Sequence, residues 1–181
     1  MIIRLTRKGE KGVIFENTTQ VKPEQPVWTL KVENNKGGSV DLNQFRGKKI
    51  LVVNTASDCG FAGQYGELQK LHELKKDDLI ILAFPSNDFN NQEVGNDQQI
   101  SGFCQINYGV TFPVMKKSSV VRTNNQNILF KWLTDKNQNG WNDREPVWNF
   151  TKFLINEQGV LTHYFGSAVS PLSKEFLEKI R

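Results

Sequence analysis

Apolar residues fall along the chain in three patterns. Ile50-Leu51-Val52-Val53 and Leu79 to Phe84 are unbroken β-favouring runs, which predict central strands covered on both faces. Trp28 to Val32 alternates as a strand, Asn34 to Gly38 reads as a turn, and Ser39 to Leu42 as the returning partner of a hairpin. A second hairpin is predicted from Phe150 to Ile155, through Asn156-Glu157-Gln158-Gly159, and back along Val160 to Phe165. The third pattern is helical. After Gly63, Tyr65, Leu68, Leu71 and Leu74 recur every third position and predict one broad apolar helix face. Asp97 is placed to cap a second helix carrying Ile100, Phe103, Cys104 and Ile106, which Tyr108-Gly109 ends. Val110 to Met115 reads as extended, with Pro113 arguing against helix. Asn127 to Leu133 reads as a short helix, Thr134 to Pro146 as a polar loop, and Ser170-Pro171 as the start of a final helix ending at Arg181. Residues 1–26 are polar, with Val13-Ile14-Phe15 their one apolar cluster. They read as an N-terminal arm lying over or trailing from a domain that spans residues 27–181.

The order is strand, helix, strand, helix, then a helix, a hairpin and a terminal helix. It resembles the thioredoxin-like α/β arrangement, a central mixed β-sheet flanked by helices, with an extra N-terminal β-hairpin. At 181 residues the chain suits one domain with a substantial core. Hydrophobic residues at 38% and charged residues at 23% exclude a disordered chain. No apolar run approaches the roughly 20 residues that cross a bilayer, and Met1-Ile2-Ile3-Arg4-Leu5 leads into no signal-peptide core. The net charge of +4 comes from basic residues interleaved with acids, which reads as a solvated surface and not a nucleic-acid footprint. Two cysteines are too few for a disulfide scaffold or a thiolate zinc site, and suggest a reducing, cytoplasmic setting. The two histidines, His72 and His163, lack metal-ligand spacing and read as surface or boundary residues. There is no P-loop and no Gly-x-Gly-x-x-Gly, so nucleotide chemistry has no support.

The candidate chemistry sits between the first unbroken strand and its helix, in Asn54-Thr55-Ala56-Ser57-Asp58-Cys59-Gly60-Phe61. A cysteine just ahead of a helix meets unpaired backbone N–H groups and the positive end of the helix dipole, which favour the nucleophilic thiolate. A free cysteine also serves as a small buried hydrophobe, so position alone leaves Cys59 either structural or reactive.

Four segments settle the matter by resemblance. Val53-Asn54-Thr55-Ala56-Ser57-Asp58-Cys59-Gly60, Phe84-Pro85-Ser86-Asn87-Asp88-Phe89 with Gln92-Glu93, Tyr108-Gly109-Val110-Thr111-Phe112-Pro113, and Trp148-Asn149-Phe150 are similar to the glutathione peroxidase family, in family order and spacing. The resemblance runs from about Trp28 to the C-terminus. It implies an active-site tetrad of Cys59, Gln92, Trp148 and Asn149. Gln92 and Asn149 each offer amide N–H groups and Trp148 its indole N–H, so three donors converging on sulfur would stabilise a thiolate and position a peroxide oxygen. Ser86 stands where many members have a third cysteine and Asp88 where many have glutamine; neither belongs to the tetrad. The 134–146 segment is short beside members that tetramerise through a long loop here, which implies a monomer. Cysteine, where some animal relatives use selenium, implies a slower nucleophile.

Cys104 has two readings. On an apolar helix face between Phe103 and Ile106 it fits as a core residue. The run from Phe103 to Val110 resembles fungal and plant-type members, where this cysteine resolves the oxidised nucleophile. The resemblance then implies a thiol peroxidase: Cys59 reduces hydrogen peroxide or an organic or lipid hydroperoxide and becomes a sulfenic acid, and Cys104 condenses with it to a disulfide. Thioredoxin, or glutathione, would reduce that disulfide, with no metal or organic cofactor. The same resemblance places the second helix away from the active-site loop, so that residues 99–108 would unwind to let the thiols meet. A disulfide reductase is disfavoured because Ala62 stands where Cys-x-x-Cys would need its second thiol. A peroxide sensor that hands its oxidation to a partner protein shares the first chemical step and stays open.

Overall fold

The computed structural model describes residues 9–181. Its elements are β1 (Ile14–Glu16), β2 (Lys31–Glu33), β3 (Ser39–Asp41), β4 (Lys49–Thr55), α1 (Gln64–Lys75), β5 (Leu79–Pro85), α2 (Asp97–Tyr108), α3 (Ile128–Leu133), α4 (Lys136–Asn139), β6 (Lys152–Ile155), β7 (Leu161–Phe165) and α5 (Lys174–Lys179). Five strands make one mixed sheet in the order β1-β7-β6-β4-β5; only β4 and β5 run parallel, joined by the crossover helix α1 that a parallel pair requires. β2 and β3 pair apart from it, as the expected N-terminal hairpin.

The unbroken apolar run of β4 is explained by its surroundings. Ile50 and Val52 pack on one face with Leu82, Phe84, Trp132 and Phe153, while Leu51 and Val53 pack on the other with Tyr65, Leu68, Leu71 and Ile81. All four β4 residues are fully buried, each stabilising the fold by roughly 1.5–3 kcal/mol. β5 is buried in the same way, yet it ends the sheet order. Its outer edge is blunted at Ala83, which bonds the Pro113 carbonyl and the Met115 N–H at 3.1 and 2.8 Å.

Several elements depart from their sequence reading for local reasons. Leu74 is exposed, because nine residues beyond Tyr65 a helix has turned about 180° from its starting face. Pro26 accepts bonds from the Thr29 N–H and hydroxyl, so Val27–Thr29 forms a short 3-10 turn and the hairpin strand begins only at Lys31. The cap of α2 is Asn96, not Asp97: Asn96 and Gln99 exchange side-chain-to-backbone bonds at 2.9 and 3.0 Å in a capping box. Asp97 instead accepts the Lys117 N–H at 2.7 Å. The 134–146 loop contains the single-turn α4, folded around the buried amides of Asn139 and Asn142. β6 starts at Lys152 because Phe150 adopts φ +63°. The last helix starts at Lys174, capped by Ser173, after a turn from Ser170, and ends at Lys179. His163 is buried, stacked on Phe165, where its burial holds the imidazole below its ordinary ionisation range. Residues 14–16, within the segment read as an arm, form β1 against β7. Residues 1–8 of that segment, with Met1 to Leu5, lie outside the described residues.

Candidate active site

β4 ends inside the core at Asn54 and Thr55, and the chain then turns through Ser57 to Gly63 before α1 begins. Cys59 lies on this turn, 6% exposed. Its carbonyl accepts the Ala62 N–H at 2.8 Å, and its Sγ accepts the Phe61 N–H at 3.4 Å. Successive turn bonds from Gln64, Tyr65 and Gly66 back to Phe61, Ala62 and Gly63 lead into α1, so the cysteine sits about one turn ahead of the regular helix. The backbone N–H that meets the sulfur is the kind of donor that position predicts.

A second loop fastens the first. The Gln92 carbonyl accepts the Asp58 N–H at 3.0 Å, and the Glu93 carboxylate accepts both the Ser57 N–H and hydroxyl, at 2.9 and 3.2 Å. Two consecutive asparagines, Asn90 and Asn91, take left-handed backbone angles of 53° and 52° and so reverse the chain to present Gln92. Glu93 is 2% exposed, and this burial pushes its carboxyl above the usual range, against the pull of the Ser57 bonds. The Asn87 side chain accepts the Glu93 N–H at 2.9 Å, and Lys117 Nζ bonds the Gly95 carbonyl at 2.6 Å, which completes the bracing.

The third contribution is the Trp148-Asn149-Phe150 turn. Asn54 Nδ2 and Thr151 Oγ1 both donate to the Trp148 carbonyl, at 3.1 and 2.9 Å, and Phe150 N–H donates to the Asn54 carbonyl at 2.6 Å. Asn54 thus ties this turn to the strand that leads to Cys59. Asn149 is fully buried, and its Nδ2 donates to Gln92 Oε1 at 3.0 Å. That bond uses one N–H, leaving the second on Asn149 and both on Gln92 Nε2 for a reacting group. Asn149 Oδ1 is buried with no hydrogen-bond partner. The Trp148 ring is partly buried, 5.7 Å from Phe89, with Lys11 Nζ 4.1 Å from its centroid.

The structure therefore joins Gln92 to Asn149 directly, and Gln92 to the Cys59 loop through the Asp58 backbone. Trp148 packs against the buried cluster that includes Cys59. None of the three side-chain donors hydrogen-bonds the sulfur; Phe61 N–H does. Trp148 lines an open cleft of about 1010 Å³ with Lys11, Phe89 and Arg144. Cys104 lies elsewhere, 1% exposed on α2, lining a cleft of about 700 Å³ under the β2–β3 hairpin with Val40 and Phe45. Both thiols are free. Burial pushes the Cys104 thiol up to about 11. Among the described residues, no cluster of three or more His, Cys, Asp or Glu is arranged to hold a metal, and no helix is long and apolar enough to cross a membrane.

Three residues of this site carry no role of their own in the sequence reading. Asn54 could have been noticed as the one amide in an otherwise apolar strand, and Glu93 as a lone acid beside Gln92. Lys11 carried no signal, since only the fold brings it to Trp148.

The glutathione peroxidase family model matches residues 27–134. Glutathione peroxidase-like peroxiredoxin 2 of Saccharomyces cerevisiae is 41% identical over 147 residues, covering 81% of this chain and 90% of its own. The crystal structure of Trgpx in apo form superimposes with a TM-score of 0.67 at 35% identity, over 87% of this chain and 94% of that one. A thiol:disulfide interchange protein of the thioredoxin family from Chlorobium tepidum shares the fold alone, at 16% identity and a TM-score of 0.59, over 88% and 94%.

Proposed function

Since the chain belongs to the glutathione peroxidase family and is a thiol peroxidase that reduces hydroperoxides at the expense of a thiol reductant, we propose that Cys59 is its nucleophile and that Gln92, Trp148 and Asn149 serve it. The observation that carries this reading is the Asn149–Gln92 amide pair, in which a fully buried Asn149 meets a Gln92 locked to the Cys59 loop through Asp58. Cys59 as thiolate attacks one peroxide oxygen, the O–O bond breaks, and water or an alcohol leaves with a proton. In this reading the free N–H groups of Gln92 and Asn149 and the indole N–H of Trp148 stabilise the departing oxygen. The resulting sulfenic acid condenses with Cys104, releasing water and forming a disulfide. A dithiol then reduces that disulfide by exchange.

Three further choices complete the proposal. Thioredoxin is the reductant, since a two-cysteine cycle ends in a disulfide that a dithiol protein reduces in one exchange sequence. The chain acts as a monomer, because the 134–146 segment folds back around Asn139 and Asn142 and does not project. Its setting is the cytoplasm, where two free thiols stay reduced.

Peroxide consumption measured in parallel with thioredoxin and with glutathione, for wild type and Cys104→Ser, tests the cycle. Wild type should turn over with thioredoxin. Cys104→Ser should consume about one equivalent of peroxide per chain, stall as a sulfenic acid, and lose thioredoxin-linked turnover. Full thioredoxin activity in Cys104→Ser makes Cys104 a core residue. Slow wild-type turnover with a stable mixed disulfide to a partner protein favours the sensor reading instead.

A further inference from the structure

Lys152 is fully buried, and nothing in the peroxide chemistry above uses it. It opens β6, three residues after Asn149, in a run whose other members are Phe153, Leu154 and Ile155. Its Nζ donates to three main-chain carbonyls: Phe150 at 2.8 Å, Val169 at 2.7 Å and Ser167 at 3.4 Å. These acceptors belong to two irregular segments, the Trp148–Phe150 turn and the turn after β7. Three carbonyls cannot satisfy one another, because all are acceptors. A side chain with three N–H donors and no acceptor serves them all at once, and only in its ammonium form. Burial pulls that ammonium down to about 7, while the Glu67 carboxylate on α1 and the three carbonyls favour the charge.

An apolar residue would fill the same strand position without the cost of burying a charge, so Lys152 calls for a use beyond packing. The geometry supplies one. Phe150 sits at φ +63°, a conformation a bulky residue rarely keeps unless its surroundings hold it. Asn54 holds the turn from the β4 side, through the Trp148 carbonyl and the Phe150 N–H. Lys152 holds it from the other side, through the Phe150 carbonyl. Gln64 Nε2, at the start of α1, donates to the same Ser167 carbonyl at 2.7 Å, so the helix that follows Cys59 shares this anchor.

We propose that Lys152 is a positioning residue for peroxide reduction: it ties the Asn149–Phe150 turn to the Ser167–Val169 turn and so fixes the Asn149 amide opposite Gln92. This rests on Asn149 serving the reaction, as proposed above.

The test is the second-order rate of Cys59 oxidation by hydrogen peroxide in the full chain, together with the pH profile of Cys59 alkylation in a Cys104→Ser background. Lys152→Met, Lys152→Arg, Asn149→Ala and the double variant Asn149→Ala/Lys152→Met are compared with wild type. Lys152→Met should slow peroxide attack on the order of 10-fold and move the alkylation profile in the same direction as Asn149→Ala. The double variant should be no slower than its slower parent, since both changes act through one amide. Lys152→Arg, which keeps charge and donors, should recover most of the rate. A folded Lys152→Met with the wild-type rate overturns the proposal, as does a double variant whose losses multiply. If Lys152→Met does not fold, Lys152→Gln and Lys152→Arg are compared instead, and equal rates in those two overturn it. If Asn149→Ala itself keeps the wild-type rate, the reading of the site fails, which this design separates from failure of Lys152 alone.

Discussion

Cys59 and Cys104 are nearly equally hidden, at 6% and 1% exposure, and belong to one buried apolar cluster, but the elements that carry them differ. Cys59 lies on a turn held by polar bonds from a second loop, with a backbone N–H at its sulfur. Cys104 lies inside a helix closed at both ends. Asn96 and Gln99 box its start, and Gly109 ends it with φ +63°, its N–H returned to the Gln105 and Cys104 carbonyls. Burial pushes the Cys104 thiol up to about 11, so in place it is a poor nucleophile. Exposure therefore does not distinguish the two thiols. In the proposed cycle Cys59 reacts where it stands, whereas Cys104 is first released, and that release is a property of α2.

The largest effect expected is at the first thiol. Cys59→Ser should abolish hydroperoxide consumption with either reductant, because Cys104, the other thiol, is enclosed in α2. Activity within a few-fold of wild type, measured as peroxide lost with thioredoxin or glutathione, removes the contrast altogether.

Next come the donors around Cys59. Trp148→Phe, Asn149→Ala or Gln92→Leu removes one donor and should slow peroxide attack on the order of 100-fold, with losses that combine less than additively. Stopped-flow rates with hydrogen peroxide check this. Unchanged rates in both Trp148→Phe and Asn149→Ala make these residues structural.

How much of this contrast the sequence carried differs between its two halves. The two-sided burial of Ile50 to Val53, the helix after Gly63 and both hairpins follow from the sequence pattern, because side-chain direction is local. The proposed tetrad was readable only as a resemblance carried by four motifs taken jointly, since Gln92 and Asn149 are 57 positions apart and meet through a bond that no local rule predicts. Two asparagines in the left-handed region and a phenylalanine at positive φ depend on tertiary contacts. Lys152 was hidden for a similar reason: it lay inside the Phe150 to Ile155 strand without a role, and the two turns facing it are what give its ammonium partners.

Alkaline pH should sharpen the contrast more gently. The Cys104 thiol ionises at about 11 when enclosed, against 9.0 for the free group. Between those values the released form has lost its proton while the enclosed form keeps it, so the open state binds fewer protons and is favoured as pH rises. The stability that enclosure gives α2 is complete below pH 9 and is lost toward pH 11. Amide exchange in residues 99–108, corrected for its intrinsic pH dependence, should accelerate over that window in wild type and not in Cys104→Ser. Equal acceleration in both would assign the opening to something other than the thiol.

The smallest effect isolates the release step. Asn96 touches neither thiol; its side chain and that of Gln99 close the first turn of α2. Replacing an asparagine cap by alanine destabilises a helix by about 1 kcal/mol, which multiplies the locally open population about fivefold. If Cys104 reaches Cys59 only from that open population, Asn96→Ala should form the Cys59–Cys104 disulfide about fivefold faster after a peroxide pulse, provided opening limits that step. The rate of peroxide attack on Cys59 should stay put, because the 57–63 turn and the Gln92–Asn149 pair are braced by Glu93, Asn87 and Asn54 and not by the helix cap. Rapid-quench alkylation followed by peptide mapping reads both rates in one experiment. A disulfide that forms at the wild-type rate in Asn96→Ala, with α2 amides exchanging faster, would mean that the thiols meet without unwinding the helix.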